Sequence, residues 1–185
     1  MEIDQTALPE VMKISPRVHK DHRGHFLEMF KASAYATITG TVDWTQDNSS
    51  RSSRGVIRGL HLQWPKPQGK LVSVVSGKIF DVAVDVRRGS PTFGHWVGEV
   101  LDDVSCQQLW IPPGFAHGFQ ALSDEAIVHY KCSAYFWSPD TELSICYSDP
   151  TIGIEWPLPV TQSHPKDSAA PVLQDCTNLP MEHEL

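Results

Sequence analysis

The sequence predicts an all-β chain, a jelly-roll sandwich or barrel with short peripheral helices. Three observations carry that prediction. Alternating apolar runs recur through the middle of the chain: KLVSVVSGKIFDVAVDVRR (70–88), HWVGEVLDD (95–103), CQQLWIP (106–112) and AIVHYKCSAYFW (126–137). Breakers separate them, namely RRGSPTFG, DDVS, PPGFAHG and LSDE. Period-2 patterning bounded by Gly, Pro and Asp is how strands read, and many short strands close together suit a sandwich or barrel. Third, helix signals are weak. Only FLEMFKASAYATI (26–38) could hold a short helix.

Taken in order, the elements follow from the same rules. LHLQW places Leu60 and Leu62 on one face of a strand and His61 with Gln63 on the other. In 70–88, Val72 and Val74 alternate up to a Ser76-Gly77 turn, beyond which Ile79, Asp81, Ala83 and Asp85 share a face. The tail after Trp156 carries Pro157, Pro159, Pro165, Pro171 and Pro180, which forbid a long helix. It reads as a wrap around the barrel that then frays. No repeat, low-complexity tract or linker divides the chain, so a single domain over 1–185 is expected, with its core roughly at 20–170. A jelly roll of this size holds small ligands in a pocket between its sheets.

Composition narrows the function classes. The chain has 185 residues, 41% hydrophobic and 20% charged, which is ordinary for a globular domain with its own core. A formal charge of -7 argues against a general nucleic-acid binder. No run of apolar residues is long enough to span a membrane. MEIDQTALPEVMKISPR lacks the apolar core of a secretory signal, so a cytoplasmic location is expected. Cys106, Cys132, Cys146 and Cys176 show no C-x-x-C spacing and read as reduced thiols, mostly small core residues.

Several clusters could do chemistry. RGVIRGLHLQWPKPQGKLV (54–72) crowds Arg58, His61 and Lys70 into apolar surroundings. Arg58 lies three residues before His61, so it shares that face only if Gly59 allows a bend. PPGFAHGF (112–119) sets His117 among small residues after a forced turn. Cupin jelly rolls often bind metal through an H-x-H pair, but here the motif reads His61-Leu62-Gln63 with no carboxylate close behind, so no metal is expected. Tyr130 sits on a strand, where it is either core or an acid assisted by a neighbouring cation. Asp167 in HPKD could fold back onto an imidazole and fix its tautomer. Arg23, Arg51, Arg54 and Arg58 form a basic cluster that suits a phosphate or diphosphate, with Gln46 and Asn48 available to a base or sugar.

These segments together resemble the dTDP-4-dehydrorhamnose 3,5-epimerases and related dTDP-4-keto-6-deoxysugar epimerases. The matching stretches are DHRGHFLEMF, QDNSSRSSRGVIRGLHLQ, QGKLVSVVSGKIFDVAVDVRRGSPTFG, IPPGFAHGF, HYKCSAYF, DPTIGIEWP and the KD of HPKD, in family order over roughly 20 to 170. The resemblance implies a cofactor-independent, metal-free jelly roll, usually a homodimer whose protomers exchange strands. It implies a dTDP-4-keto-6-deoxyhexose substrate. By match, His61 is the general base, Asp167 its partner, Tyr130 the acid on the opposite face, and Lys70 the group beside the ketone oxygen. Arg23, Glu28, Gln46, Asp47, Asn48, Arg58, His117, Glu142 and Lys166 contact substrate, some of them in the neighbouring protomer.

The reaction accounts for these residue types. A ketone acidifies its flanking carbons because the carbanion delocalises as an enolate, which calls for a base poised near neutrality. The developing oxyanion needs a preorganised positive donor, worth about 3–4 kcal/mol. Two departures from the family pattern appear. Phe136 stands where the family usually has a second tyrosine that stacks on the substrate, with Trp137 like a one-residue insertion after it. SHPKD has a longer Ser-to-Lys spacing than usual. Three readings follow: a 3,5-epimerase, a single-centre epimerase or ketoisomerase on the same fold, and a non-catalytic nucleotide-sugar binding module.

Overall fold

The alternation in the middle of the chain becomes two antiparallel sheets packed face to face. The computed structural model describes residues 1–185. Its elements are β1 (Glu2–Gln5), β2 (Met12–Ser15), β3 (Val18–Asp21), β4 (Gly24–Leu27), α1 (Ala32–Thr39), β5 (Gln46–Ser53), β6 (Ile57–Gln63), β7 (Lys70–Ser76), β8 (Lys78–Asp85), β9 (Trp96–Asp102), β10 (Gln108–Ile111), β11 (Phe115–Ala121), β12 (Glu125–Cys132), β13 (Glu142–Ser144) and α2 (Pro165–Ser168). One sheet runs β1-β2-β10-β7-β12-β5 and the other β13-β6-β11-β8-β9, while β3 and β4 form a separate hairpin. The all-β jelly-roll prediction holds, and the predicted helix is confined to the eight residues of α1.

Each face of the sandwich has its own apolar layer. Val72, Val74, Leu109, Ile111 and Val128 from the first sheet meet Ile79, Ala83, Phe115 and Phe119 from the second. These are the inward positions that period-2 alternation assigns. The outer face of the second sheet, with Leu60, Leu62, Val82 and Val84, is covered by Ile152, Leu173 and Leu179. The outer face of the first is covered by α1, whose buried Tyr35 packs with Leu71 and Trp110 and hydrogen-bonds Gln108 at 2.5 Å.

Three features go beyond or against the sequence reading. The Ser76-Gly77 turn does not join paired strands: β7 pairs with β10 and β12, whereas β8 pairs with β11 and β9. The chain crosses between sheets there, at a glycine of φ 85° whose absent Cβ would lie 2.2 Å from the Glu125 carbonyl oxygen. The tail does not fray. It closes in a single turn at Glu182–Glu184, and Arg88 and Glu182 bond it back through Arg88 N–H to the Pro180 carbonyl and Glu182 N–H to the Arg88 carbonyl. Of the four free cysteines only Cys132 is buried, the others being half-buried.

Candidate active site

The interior layer stops being apolar at one end of the sandwich. There β5, β6, β7, β11 and β12 direct polar side chains into a cavity of about 700 Å³. β5 contributes Gln46, Asn48, Ser50 and Ser52 from one face, as alternation requires, and β12 contributes Tyr130. The tail segment Ser163–Asp167 closes one side.

A bulge brings Arg58 and His61 to the same side. His117 on β11 stands opposite His61, but Phe119, two residues on, stands opposite Arg58, three residues back. The extra residue is absorbed around Gly59, at φ 125°, where a Cβ would lie 2.5 Å from the Gly118 Cα. This is the bend the spacing of Arg58 and His61 called for. Arg58 then bonds Ser52 Oγ at 2.9 Å and the Arg51 carbonyl at 3.0 Å, which aims its guanidinium along the cavity rim.

Two histidines sit side by side on this ladder, each backed by an aspartate. His61 Nε2 lies 2.7 Å from Asp167 Oδ1. Asp167 is 1% exposed, and its second oxygen faces the Gly59 N–H at 3.4 Å. Burial pushes the Asp167 carboxyl up, but the His61 hydrogen bond and charge, the Gly59 N–H and Lys166 together hold it below the usual carboxylate range. With Asp167 accepting a hydrogen bond from Nε2–H, Nδ1 carries the free lone pair. That nitrogen lies 3.8 Å from Glu142 Oε1, and Glu142 is itself paired with Lys166.

His117 Nε2 lies 2.7 Å from Asp81 Oδ1. Burial holds the His117 imidazole below its ordinary value, outweighing Asp81. Asp81 is fully buried, and its Oδ2 has no partner. Sequence reasoning did not select Asp81 for the site. Its signal was a carboxylate sharing a strand face with Ile79 and Ala83, where burial of a charge needs a partner.

Lys70 and Tyr130 complete the floor. The Lys70 Nζ lies 6.0 Å from the Tyr130 ring centroid, and the Tyr130 and His117 rings meet edge to face at 6.4 Å. Burial holds the Lys70 ammonium below the usual lysine range, against Cys132, Glu142 and Asp81. Burial also pushes the Tyr130 phenol up, and Arg58 only partly opposes this. The expected cation is present but desolvation wins, so Tyr130 is held as a phenol, the form an acid needs.

Gln46, Asn48, Arg58, His61 and Lys70 therefore line one cavity with His117, Tyr130, Phe136, Glu142, Lys166 and Asp167. Phe136 is fixed at its backbone by Gln46 Oε1 at 2.7 Å, and Trp137 beside it by Gln63 Oε1 at 2.9 Å and by Lys66, whose Nζ lies 3.1 Å from the indole centroid. Three residues of the expected set lie elsewhere. Asp47 faces the opposite side of β5 and bonds Lys131 at 2.7 Å. Arg23 pairs with Asp21 on the exposed β3–β4 hairpin, and Glu28 follows that hairpin. Of the other arginines, Arg51 pairs with Glu125 at the cavity rim, and Arg54 faces Asp124 outside it.

A family profile described as dTDP-4-dehydrorhamnose 3,5-epimerase matches residues 5–175. The curated dTDP-4-dehydrorhamnose 3,5-epimerase of Neisseria gonorrhoeae is 50% identical over 170 residues, covering 91% of this chain and 52% of its own length. The chain thus spans about half of that relative. The protein of the same name from Pseudomonas aeruginosa is 50% identical over 159 residues, covering 85% of this chain and 87% of its own. Among solved structures, dTDP-6-deoxy-D-glucose-3,5-epimerase from Legionella pneumophila Philadelphia 1, in complex with dTDP-4-keto-L-rhamnose, superposes with a TM-score of 0.93 at 49% identity. It covers 97% of each chain. With sequence and backbone matched over nearly its whole length, this chain belongs to the dTDP-4-dehydrorhamnose 3,5-epimerase family.

Proposed function

We propose that the chain epimerises a dTDP-4-keto-6-deoxyhexose at both carbons flanking the ketone, through an enolate, in a rhamnose-type deoxysugar pathway of the cytoplasm. One observation carries the reading. An imidazole held by a sealed carboxylate on β6 faces a cavity whose other sheet presents a protonated phenol, with a desolvated ammonium between the same walls. His61 takes hydrogen from carbon, Lys70 meets the charge that develops on the ketone oxygen, and Tyr130 returns a proton from the other side. Arg58 and Lys166 suit the diphosphate, and Gln46 and Asn48 suit the nucleoside. The two curated relatives compared above are both named 3,5-epimerases, which favours inversion at both centres.

The positions of Arg23, Glu28 and Asp47 outside this chain's own cavity fit a homodimer. The β3–β4 hairpin stands clear of the sandwich with Phe26 72% exposed, and in such a dimer it reaches the nucleotide of the other protomer. The substitution at Phe136 favours a second reading, inversion at one centre only, because no hydroxyl is available at the stacking position. Incubation with dTDP-4-keto-6-deoxyglucose in heavy water, read by NMR, separates the readings. Deuterium at both flanking carbons supports the 3,5-epimerase, deuterium at one supports the single-centre enzyme, and none leaves only a binding module.

A further inference from the structure

Inversion with a base on one face and an acid on the other leaves the protein out of step with its starting state. Once His61 has taken a proton and Tyr130 has given one, the imidazole is charged and the phenol is a phenolate. A proton must travel from one to the other before the next inversion. An enzyme that inverts two centres in succession must complete this while the sugar is still bound.

The surroundings of His61 restrict the route. At Nε2 the Asp167 side chain is 2% exposed, and its remaining oxygen is turned to the Gly59 N–H. That end is closed. At Nδ1, 3.8 Å away, stands Glu142, a quarter exposed and lining the same cavity as Tyr130. One imidazole therefore lies between two carboxylates, one sealed from solvent and one open to the cavity. The charge of Glu142 also acts on Tyr130, adding to the burial that keeps the phenol protonated.

We infer that Glu142 is the proton relay that resets the site between inversions: from 3.8 Å its Oε1 closes on His61 Nδ1, directly or through one cavity water, accepts the proton, and passes it through cavity water to the phenolate oxygen of Tyr130. The balance closes. The imidazolium becomes neutral imidazole, the phenolate becomes phenol, and the carboxylate ends as it began, with no redox partner. Lys166 is paired with the other oxygen of Glu142, which leaves Oε1 as the oxygen turned to His61. The inference rests on the epimerase reading and extends it.

Glu142→Gln keeps the shape of the side chain and removes its ability to carry a proton. Rapid quench in heavy water, with dTDP-4-keto-6-deoxyglucose in excess over protein, reads both phases. The variant is expected to give a burst of about one deuterium per site, then a steady rate lower than the wild type by about 10²-fold. Added formate is expected to restore the steady rate of the variant and leave the wild type unmoved. Glu142→Asp, which retains a carboxylate, is expected to turn over without formate. A first turnover slowed as far as the steady rate, or a steady rate indifferent to formate, overturns the relay. If the wild type itself incorporates no deuterium, the epimerase reading falls instead.

Discussion

His61 and its neighbours set the expectations at the scale of single residues. His61→Ala is expected to abolish deuterium incorporation while titration calorimetry still detects dTDP binding. Asp167→Asn leaves the ring in place but removes the anion that fixes its tautomer, and kcat is expected to fall by about 10²–10⁴-fold. Tyr130→Phe is expected to retain exchange on the base side and lose inversion, read by NMR of the recovered sugar. Much of this was visible in the sequence. The alternation of LHLQW separated His61 from Leu60 and Leu62, and the spacing allowed Arg58 onto the face of His61 only with a bend, which Gly59 supplies. Asp81 was not selected, because nothing in the local pattern announces that a strand's inward carboxylate will meet a histidine from the adjacent strand. That pairing, at 2.7 Å, arises from register, which links residues 36 apart.

Element-scale consequences concern the bulge and the buried carboxylates. A methyl at Gly59 must occupy space 2.5 Å from Gly118 Cα and 2.8 Å from the His117 carbonyl, on a backbone at φ 125°. Gly59→Ala is expected to cost about 2–5 kcal/mol in urea unfolding, and to lower activity because both histidines share that ladder. Acid stability follows from three aspartates. Burial pushes Asp85 up, but Arg87, Ser90 and Thr92 more than offset it, and backbone N–H groups do the same for Asp149. With Asp167, all three sit below the usual range in the folded chain. Such groups contribute stability that is complete above the unfolded value of about 3.9 and is lost as pH falls below it through each folded value. Urea midpoints are therefore expected to hold steady from neutrality to about pH 5 and then drop. Asp85→Asn is expected to flatten that drop while lowering the midpoint at neutral pH. The strands themselves were legible, but their partners were not: β7 and β8 are contiguous in sequence, yet they belong to different sheets, because period-2 patterning marks faces and says nothing of which edge is met.

For the molecule as a whole, the sandwich is only part of what makes the cavity. Its far wall comes from the tail, which the sequence reading had wrap the barrel and bring Asp167 back to an imidazole, but which it left to fray at its end. The tail is clipped to the sandwich by Gln120, fully buried on β11. The Gln120 amide donates to the Leu158 carbonyl at 2.8 Å and accepts from the Leu158 N–H at 3.0 Å. Further on, Thr161 N–H bonds the Gly55 carbonyl and Ile57 N–H bonds the Gln162 carbonyl, after which α2 presents Asp167. Gln120→Met leaves both Leu158 groups without partners and is expected to lower the melting midpoint and slow exchange together, measured by calorimetry and NMR. The order of the chain has a consequence for its birth on the ribosome. All thirteen strands emerge before the strap that donates Asp167. A nascent polypeptide can thus pair its strands and place His61 while still lacking the carboxylate that meets the ring at 2.7 Å. A product terminated before that strap would leave Leu60, Leu62, Val82 and Val84 without the cover of Leu173 and Leu179, and its cavity open along one side.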